Sequence, residues 1–162
     1  MSNSNYNVNG DTIGEEQRNI IELLATHEEA ISQLYACYAE RFPDHKEFWF
    51  TLSEEELEHA RLVHQLIRML VHYDETKLRT PVIKISLDHV KYQLAKVHKE
   101  EVSLINALST ALDLERSIVD GKIFQAFEGY STDAKGVLRE LESTLQDHVE
   151  RVQKAWNEHR TF

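Results

Sequence analysis

Residues that turn or break a chain are scarce in this sequence, and their scarcity limits the folds it can adopt. Five glycines and two prolines occur in 162 residues, so the chain has few places to turn, which favours long helices over many short strands. Apolar residues recur at helical spacing through long stretches of the chain. The spacing predicts four long helices, over residues 13–41, 45–72, 103–128 and 134–158.

The first break between these stretches is the segment Phe42-Pro43-Asp44. A proline disfavours helical backbone in the residue before it, so the first helix ends here. Because the link is short, the first two helices are predicted to lie antiparallel to each other. Residues 74–85 contain Pro81 and little periodicity, and we interpret them as a loop that crosses the bundle.

The second half of the chain contains two serines at positions suited to helix caps. Ser86 is predicted to cap a shorter helix over residues 87–100, and Ser103 to cap the helix that follows. The sequence leaves open whether residues 87–128 form one helix or two. Residues 129–133 predict a tight turn before the last helix.

These elements predict an all-α fold in a single domain. Residues 1–12, rich in Asn and Ser, are expected to be a disordered tail, and residues 13–160 to form the domain. The order of hairpin, crossing segment and hairpin is the plan of a ferritin-like four-helix bundle with one long crossover, here with an extra helix in the crossover. An ordinary up-and-down bundle, whose crossing segment packs outside, is the alternative.

Charge and cysteine content exclude several function classes. The formal net charge of −10 argues against nucleic acid and against a polybasic membrane contact. Cys37 is the single cysteine, so no internal disulfide or four-cysteine metal site is expected. No signal peptide and no apolar run of membrane-spanning length is recognisable, which predicts a cytoplasmic protein.

Five ionisable residues interrupt the predicted apolar stripes, and each lies within about three residues of the middle of its helix. Burying an unpaired charge is costly, so each of them needs a partner. In two antiparallel hairpins the helix midpoints share one level, which brings these side chains into one layer. Carboxylates and imidazoles together suit iron, manganese or zinc. The predicted metal ligands are Glu28, Glu56, His59, Glu115 and His148.

Each ligand taken alone has an ordinary explanation. A glutamate on an apolar stripe is commonly at the edge of the stripe and reaches water, and a histidine is commonly a hydrogen-bonded core residue. Glu54, Glu55 and Glu58 beside the predicted ligands are expected mostly to cover a solvated face. The coincidence of four helices at one depth, with Glu56 and His59 three residues apart on one helix face, favours a metal site.

The sequence resembles rubrerythrin-related ferritin-like proteins over residues 15–158. The resemblance rests on Phe48-Trp49, Leu52 and the run Glu55-Glu56-Leu57-Glu58-His59-Ala60, which are similar to the second core helix of that family. Glu28 followed by Tyr35 resembles the first helix. Ala107-Leu108, Ala111-Leu112 and Glu115 resemble the third helix, and residues 141–152 around His148 resemble the fourth.

The resemblance implies a two-metal site. Glu28 would be a terminal ligand that shares one metal with His59, Glu56 would bridge, and Glu115 would be terminal on the second metal beside His148. The family's second bridging glutamate is replaced by Leu145, which leaves a single metal, completed by His27 or a water, as the alternative.

The resemblance also implies the activity. A redox enzyme acting on peroxide or O₂, with Tyr35 near the site, is the first expectation. It needs an external electron donor, since the four-cysteine domain of rubrerythrins is missing. A non-catalytic metal-binding or storage protein, and a bundle with a degenerate site that serves as an interaction module, are the alternatives. A homodimer is a further expectation. Cys37 has no histidine at a spacing that indicates a nucleophilic pair.

Overall fold

A computed structural model describes residues 9–69, 80–120 and 132–160 of the chain, and these residues contain helices and no strand. The all-α prediction is therefore confirmed for the described part. The helices are α1 (Asn9–Arg41), α2 (Lys46–Met69), α3 (Thr80–Lys99), α4 (Leu104–Asp120) and α5 (Thr132–His159), with a 3-10 turn at Pro43–His45 between the first two.

The link between α1 and α2 forms where proline predicts it. Phe42 leaves the helical conformation at φ −118° and ψ 77°, and its N–H still donates to the carbonyl of Tyr38 at 2.9 Å. Pro43 then opens the short 3-10 turn. Helix α1 begins at Asn9, four residues before the predicted start. Apolar spacing begins only at Ile13, so periodicity gave no signal for a polar first turn; residues 1–8 lie outside the described part.

Two predictions around the crossing segment are wrong. Helix α3 begins at Thr80, so residues 80–85 are helical and not loop. Pro81 occupies the first turn, where its missing N–H costs no hydrogen bond. Ser86 is consequently not an N-cap but a buried residue inside α3. A proline near the start of a helix and a proline inside a loop look alike in sequence.

The structure answers the open question about residues 87–128. Helices α3 and α4 are separate, with a break at residues 100–103. Ser103 caps α4 as predicted, since its Oγ accepts a hydrogen bond from the N–H of Asn106 at 3.3 Å. Helix α4 is described as far as Asp120, and residues 121–131, which include most of the predicted turn, lie outside the described part.

The helices form two packed pairs, α1 with α2 and α4 with α5, which contact each other through α2 and α5. Helix α1 contacts α2 and α3, α4 contacts α5, and α2 also contacts α5. The buried apolar residues form two separate clusters. One contains Leu24, Leu62, Val63, Leu66, Ile83, Ile118, Leu138, Leu141 and Leu145. The other contains Ile31, Leu34, Tyr35, Trp49, Leu52, Leu108, Ala111, Leu114 and Val152.

A polar layer separates the two apolar clusters, and four helices contribute buried ionisable residues to it. On α1 it falls at Glu28, between Leu24 and Ile31, and on α2 it spans Glu56 and His59. The same change of cluster occurs at residues 115 and 148, on α4 and α5. Helices α1, α2, α4 and α5 therefore bring buried ionisable side chains to one level. Within the described helices, none is both long and apolar enough to cross a membrane.

Candidate metal centre

All five predicted ligands are buried and lie in one contact network. Each has at most 2% of its surface exposed, so their charges must be compensated within the protein. The cluster draws its members from four helices: α1, α2, α4 and α5. The structure thus brings together every site residue that the sequence predicts, and their role as ligands stays a prediction.

Glu56 lies at the middle of the network. Its Oε2 is 3.2 Å from Nδ1 of His59, and its Oε1 is 2.7 Å from Nδ1 of His148. The two imidazole rings lie side by side, with their centroids 4.8 Å apart. One ligand atom from each of these three residues falls within 4.8 Å of the others, so Glu56 presents one oxygen to each histidine.

Two further glutamates extend the network on opposite sides. Oε2 of Glu28 lies 3.8 Å from Nδ1 of His59. Oε2 of Glu115 lies 3.7 Å from Nδ1 of His148. The network therefore consists of two similar halves, each with one histidine and one outer glutamate, that share Glu56.

The far side of each histidine is held by a hydrogen bond that fixes its tautomer. His59 Nε2 lies 2.8 Å from Oγ1 of Thr144, whose own proton goes to the carbonyl of Glu140 at 2.8 Å. His148 Nε2 lies 2.9 Å from Oε2 of Glu55. Both contacts require an N–H on Nε2, so in the neutral ring the lone pair is on Nδ1 and faces the centre.

The outer glutamates are also held from behind. The Tyr35 hydroxyl donates a hydrogen bond to Oε1 of Glu115 at 2.7 Å. Tyr35 therefore lies near the site, as the sequence predicts. Nδ1 of His27 lies 3.3 Å from Oε1 of Glu28, and Nε2 of His27 lies 2.7 Å from Oγ of Ser86. Such supporting contacts are typical of metal ligands, whose orientation they fix.

In the metal-free protein, protons compensate the carboxylates. Burial lowers the pKa of His59, but Glu56 and Glu28 outweigh burial and raise it to about 11. Burial likewise lowers the pKa of His148, while Glu115 and Glu56 raise it to about 10. Burial and the charge of Glu115 raise the pKa of Glu56 to about 7. Without a metal, the histidines are therefore protonated at neutral pH.

The carboxylate of Glu28 behaves differently from that of Glu56. Burial raises its pKa, but the hydrogen bond with His27 and the nearby ring of His59 hold the pKa of Glu28 well below its usual range. This carboxylate therefore remains charged at neutral pH. Tyr35 stays protonated, because burial and the charges of Glu115 and Glu56 raise the pKa of its hydroxyl well above the ordinary value.

Three buried atoms at the centre lack a hydrogen bond from the described residues. They are Oε2 of Glu28, Oε1 of Glu56 and Nδ1 of His148. The last two lie 2.7 Å apart, but without the alignment that a hydrogen bond requires. Buried polar atoms are rarely left unpaired, so a bound group between these atoms would satisfy them.

One part of the centre is apolar. Leu145, at the position where the resembling family has its second bridging carboxylate, is buried in the cluster with Leu141 and Val63. Thr144, one residue earlier, contacts Nε2 of His59, on the side of the ring that faces away from the centre. The candidate ligand set among the described residues therefore holds three carboxylates and two imidazoles.

Three contacts at and around the site were not predicted from the sequence. Glu55 is partly exposed, in line with the expected solvated face, but its Oε2 also accepts a hydrogen bond from His148. Thr144 had no predicted role. Cys37 does have a histidine nearby, since its Sγ lies 3.8 Å from Nε2 of His98. Each contact joins residues more than 60 positions apart, which helical spacing cannot indicate.

No protein-family model matches the chain, and comparisons with curated proteins and with solved structures find no match either. The candidate centre is therefore interpreted from the geometry of its own side chains.

Proposed function

We propose that this chain is a ferritin-like metal-binding protein whose buried centre holds two iron ions. The observation that carries the proposal is the position of Glu56, which directs each of its oxygens to a different histidine. A carboxylate placed in this way bridges two ions. The first ion would be held by Glu28, Glu56 and His59, and the second by Glu115, Glu56 and His148.

The donor atoms fit such ions in spacing and in chemistry. Ligand atoms about 2.1 Å from one ion lie roughly 3 Å apart when the angle between them is near 90°, and the spacings here are 2.7–3.8 Å. Both inward Nδ1 atoms carry a lone pair in the tautomer that Thr144 and Glu55 select. Mixed carboxylate and imidazole ligands suit iron, and also manganese or zinc.

The same cluster has an alternative explanation without metal. Two protonated histidines among three carboxylates form a buried ion-pair network that is nearly neutral, and such networks occur in structural cores. The unpaired atoms of Glu28, Glu56 and His148 favour the metal, because a network built to be neutral by protons alone would align its donors with its acceptors.

We propose further that the bound iron supplies redox chemistry toward peroxide or O₂. Leu145 is buried where a second bridging carboxylate would otherwise close the site, which leaves coordination positions for a small substrate. The chain's own groups would hold the ions, exclude bulk water and keep Tyr35 hydrogen bonded to Glu115. The electrons for peroxide reduction would come from an external donor protein.

A second candidate function is metal binding without turnover, as in storage. The missing bridging carboxylate at Leu145 favours it, because a site with fewer charged ligands stabilises the oxidised metal less. The two functions differ in a simple assay: both bind metal, but only the first consumes peroxide repeatedly when a reductant is supplied.

The test is elemental analysis of protein purified without added metal, compared with the double variant Glu56→Ala, His59→Ala. We expect about two metal ions per chain in the natural protein and loss of metal in the variant. The matched control is Glu54→Ala, His64→Ala, which removes the same residue types from exposed positions of the same helix.

Three outcomes separate the candidates. About two ions per chain together with peroxide turnover supports the redox enzyme, and about one ion without turnover supports a mononuclear binder. Absence of metal from the natural protein after incubation with Fe²⁺, Mn²⁺ and Zn²⁺ would overturn the proposal. The variants are checked for folding by circular dichroism, so loss of metal is not confused with loss of the fold.

A further inference from the structure

The buried centre needs a route by which a metal ion enters, and the contacts behind its ligands differ in whether they reach solvent. Glu28 contacts His27, and Glu115 accepts a hydrogen bond from Tyr35. Both His27 and Tyr35 are buried. His59 contacts the hydroxyl of Thr144, which is also partly exposed but carries no charge that would attract a cation. His148 alone among the described ligands is backed by a charged and partly exposed group, the carboxylate of Glu55.

We propose that Glu55 and Arg151 form the gate through which divalent cations enter the centre, an inference that rests on the proposed metal-binding function. Oε2 of Glu55 accepts hydrogen bonds from both His148 and Arg151. The side chain of Glu55 is 40% exposed, whereas that of His148 is 1% exposed. Glu55 thus touches the buried centre on one side and solvent on the other.

Arg151 occupies the outer side of this carboxylate. Its guanidinium pairs with Glu55 and also lies, through Nε, 2.7 Å from Oδ2 of Asp147. Its side chain is 31% exposed and that of Asp147 is 60% exposed. Between them, Glu55 and Asp147 present two carboxylates at the surface, and the guanidinium fills the space where a cation would meet both.

The surface beyond Arg151 favours the arrival of cations. Arg151 lines an open depression together with Asp44, His45, Glu47, Phe48 and Thr51. Glu47, Thr51 and Glu55 follow at intervals of four residues on one face of α2, so a row of oxygen ligands leads toward His148. Acidic groups at the mouth of a site raise the local concentration of cations and their association rate.

The guanidinium acts as a gate because it carries the same sign of charge as the ion. While Arg151 is paired with Glu55, an approaching divalent cation meets a positive group and an occupied carboxylate. Arg151 is partly exposed and is held at this place by its ion pairs with Glu55 and Asp147. When these pairs break, its guanidinium moves into solvent and frees Glu55. Glu55 then takes the ion beside Nε2 of His148. The ion passes the edge of that ring to Nδ1 of His148 and Oε1 of Glu56, two of the three buried atoms at the centre that lack a hydrogen bond.

The test measures the rates of metal binding and not activity. The metal-free full chain is mixed with Co²⁺, whose bound form absorbs visible light, and association is followed by stopped flow. Dissociation is followed after addition of excess chelator. The variants are Arg151→Met and Glu55→Gln. The controls are Arg61→Met and Glu58→Gln, which change an exposed arginine–glutamate pair on α2.

A change in a gate alters the barrier to metal entry and the barrier to metal release by the same amount. Arg151→Met is expected to speed association about tenfold and to speed dissociation as well, so that Kd changes little, while Glu55→Gln slows association about tenfold. Loss of an ordinary repulsive charge would instead speed association and slow dissociation. Arg151→Lys keeps the charge on a shorter side chain, so its association and dissociation rates are expected to fall between those of the natural protein and those of Arg151→Met.

The outcomes separate this inference from the function beneath it. If the natural chain binds no Co²⁺, the metal centre and the gate both fail. If it binds Co²⁺ but Arg151→Met and Glu55→Gln show the rates of the Arg61→Met and Glu58→Gln controls, the centre stands and the gate is overturned. An Arg151→Met protein that binds faster but releases more slowly also overturns the gate.

Discussion

Glu56 is the residue that joins the two halves of the centre. Its surroundings explain why its charged carboxylate destabilises the metal-free protein. Its carboxylate is fully buried, and its pKa is raised to about 7 by burial and by the charge of Glu115. Protonated histidines on both sides offset part of that cost. A metal ion on each side would offset more of it, because an ion carries two charges where a proton carries one.

This exchange of protons for metal gives a prediction about His59 and His148. Their pKa values of about 11 and about 10 place a proton on each ring at pH 7 in the metal-free protein. A ligand imidazole must be neutral, and Glu56, with a pKa of about 7, must also be deprotonated. Binding is therefore expected to release about two to three protons per chain, and the apparent affinity is expected to rise with pH. Calorimetric titration with Zn²⁺ at pH 7, in buffers of different ionisation enthalpy, counts the protons.

A control and a contrary result make this count informative. Glu56→Ala, His59→Ala protein is expected to show neither metal heat nor proton release. Tight binding that releases no protons and is independent of pH between 6 and 8 would mean that the two histidines are not ligands.

Residue-level chemistry was only partly predictable. The five candidate ligands could be found as a buried group because each is an ionisable residue on an otherwise apolar stripe, a signal that lies within one helix. The supporting contacts from Glu55 and Thr144 join α2 to α5. Whether two side chains on different helices meet depends on how the helices are rotated against each other, and the spacing within one helix does not contain that rotation.

At the scale of the helices, proline and glycine predicted local structure less reliably than the apolar stripes did. Pro43 ends α1 as expected, whereas Pro81 lies in the first turn of α3 and was misread as loop. Helix α5 contains Gly136, a residue that is unfavourable inside a helix. Apart from its chain neighbours and the backbone of its own helix, no described atom lies within 4 Å of the position that its Cβ would occupy.

Replacement of Gly136 by alanine is therefore expected to stabilise the protein. Glycine inside a helix costs about 0.5–1 kcal/mol relative to alanine because it loses more backbone entropy on folding, and the added methyl group would meet no side chain of the described residues. Urea denaturation of metal-free protein is expected to show a gain of about that size in the free energy of unfolding for Gly136→Ala.

The control for this change lies on the same helix. Ser143→Ala replaces another exposed residue of α5, and its gain is expected to be smaller, at most about 0.5 kcal/mol, because serine has a better helix propensity than glycine. A loss of stability in Gly136→Ala, with Ser143→Ala unchanged or better, would contradict the reading that position 136 faces open space.

At the scale of the whole molecule, the polar layer divides the core into two apolar clusters that share the same helices. Each of α1, α2, α4 and α5 passes from one cluster to the other at the level of the centre. The layer is held by contacts between ionisable groups, which stabilise less than apolar packing of the same volume when no metal is present. A metal ion bound there would tie four helices at their middles.

This arrangement predicts where metal binding protects the backbone from hydrogen exchange. Amides near residues 28, 56–59, 115 and 148 are expected to exchange more slowly with metal than without it, because binding suppresses the local openings that expose them. The C-terminal half of α3, residues 90–99, belongs to a helix that supplies none of the five ligands and serves as the internal reference. Peptide-level exchange by mass spectrometry at short labelling times distinguishes these regions.

The distribution of slowed exchange among the helices, more than the size of the slowing, decides between a metal centre and a neutral structural network. Slower exchange confined to one helix would indicate a surface ion held by local carboxylates, and equal slowing in all helices would indicate a general rise in stability. Slowing on α1, α2, α4 and α5 together, absent from the Glu56→Ala, His59→Ala protein, requires a group that contacts all four at once. Only the buried layer around Glu56, His59 and His148 places candidate ligands from α1, α2, α4 and α5 within one network of the described chain.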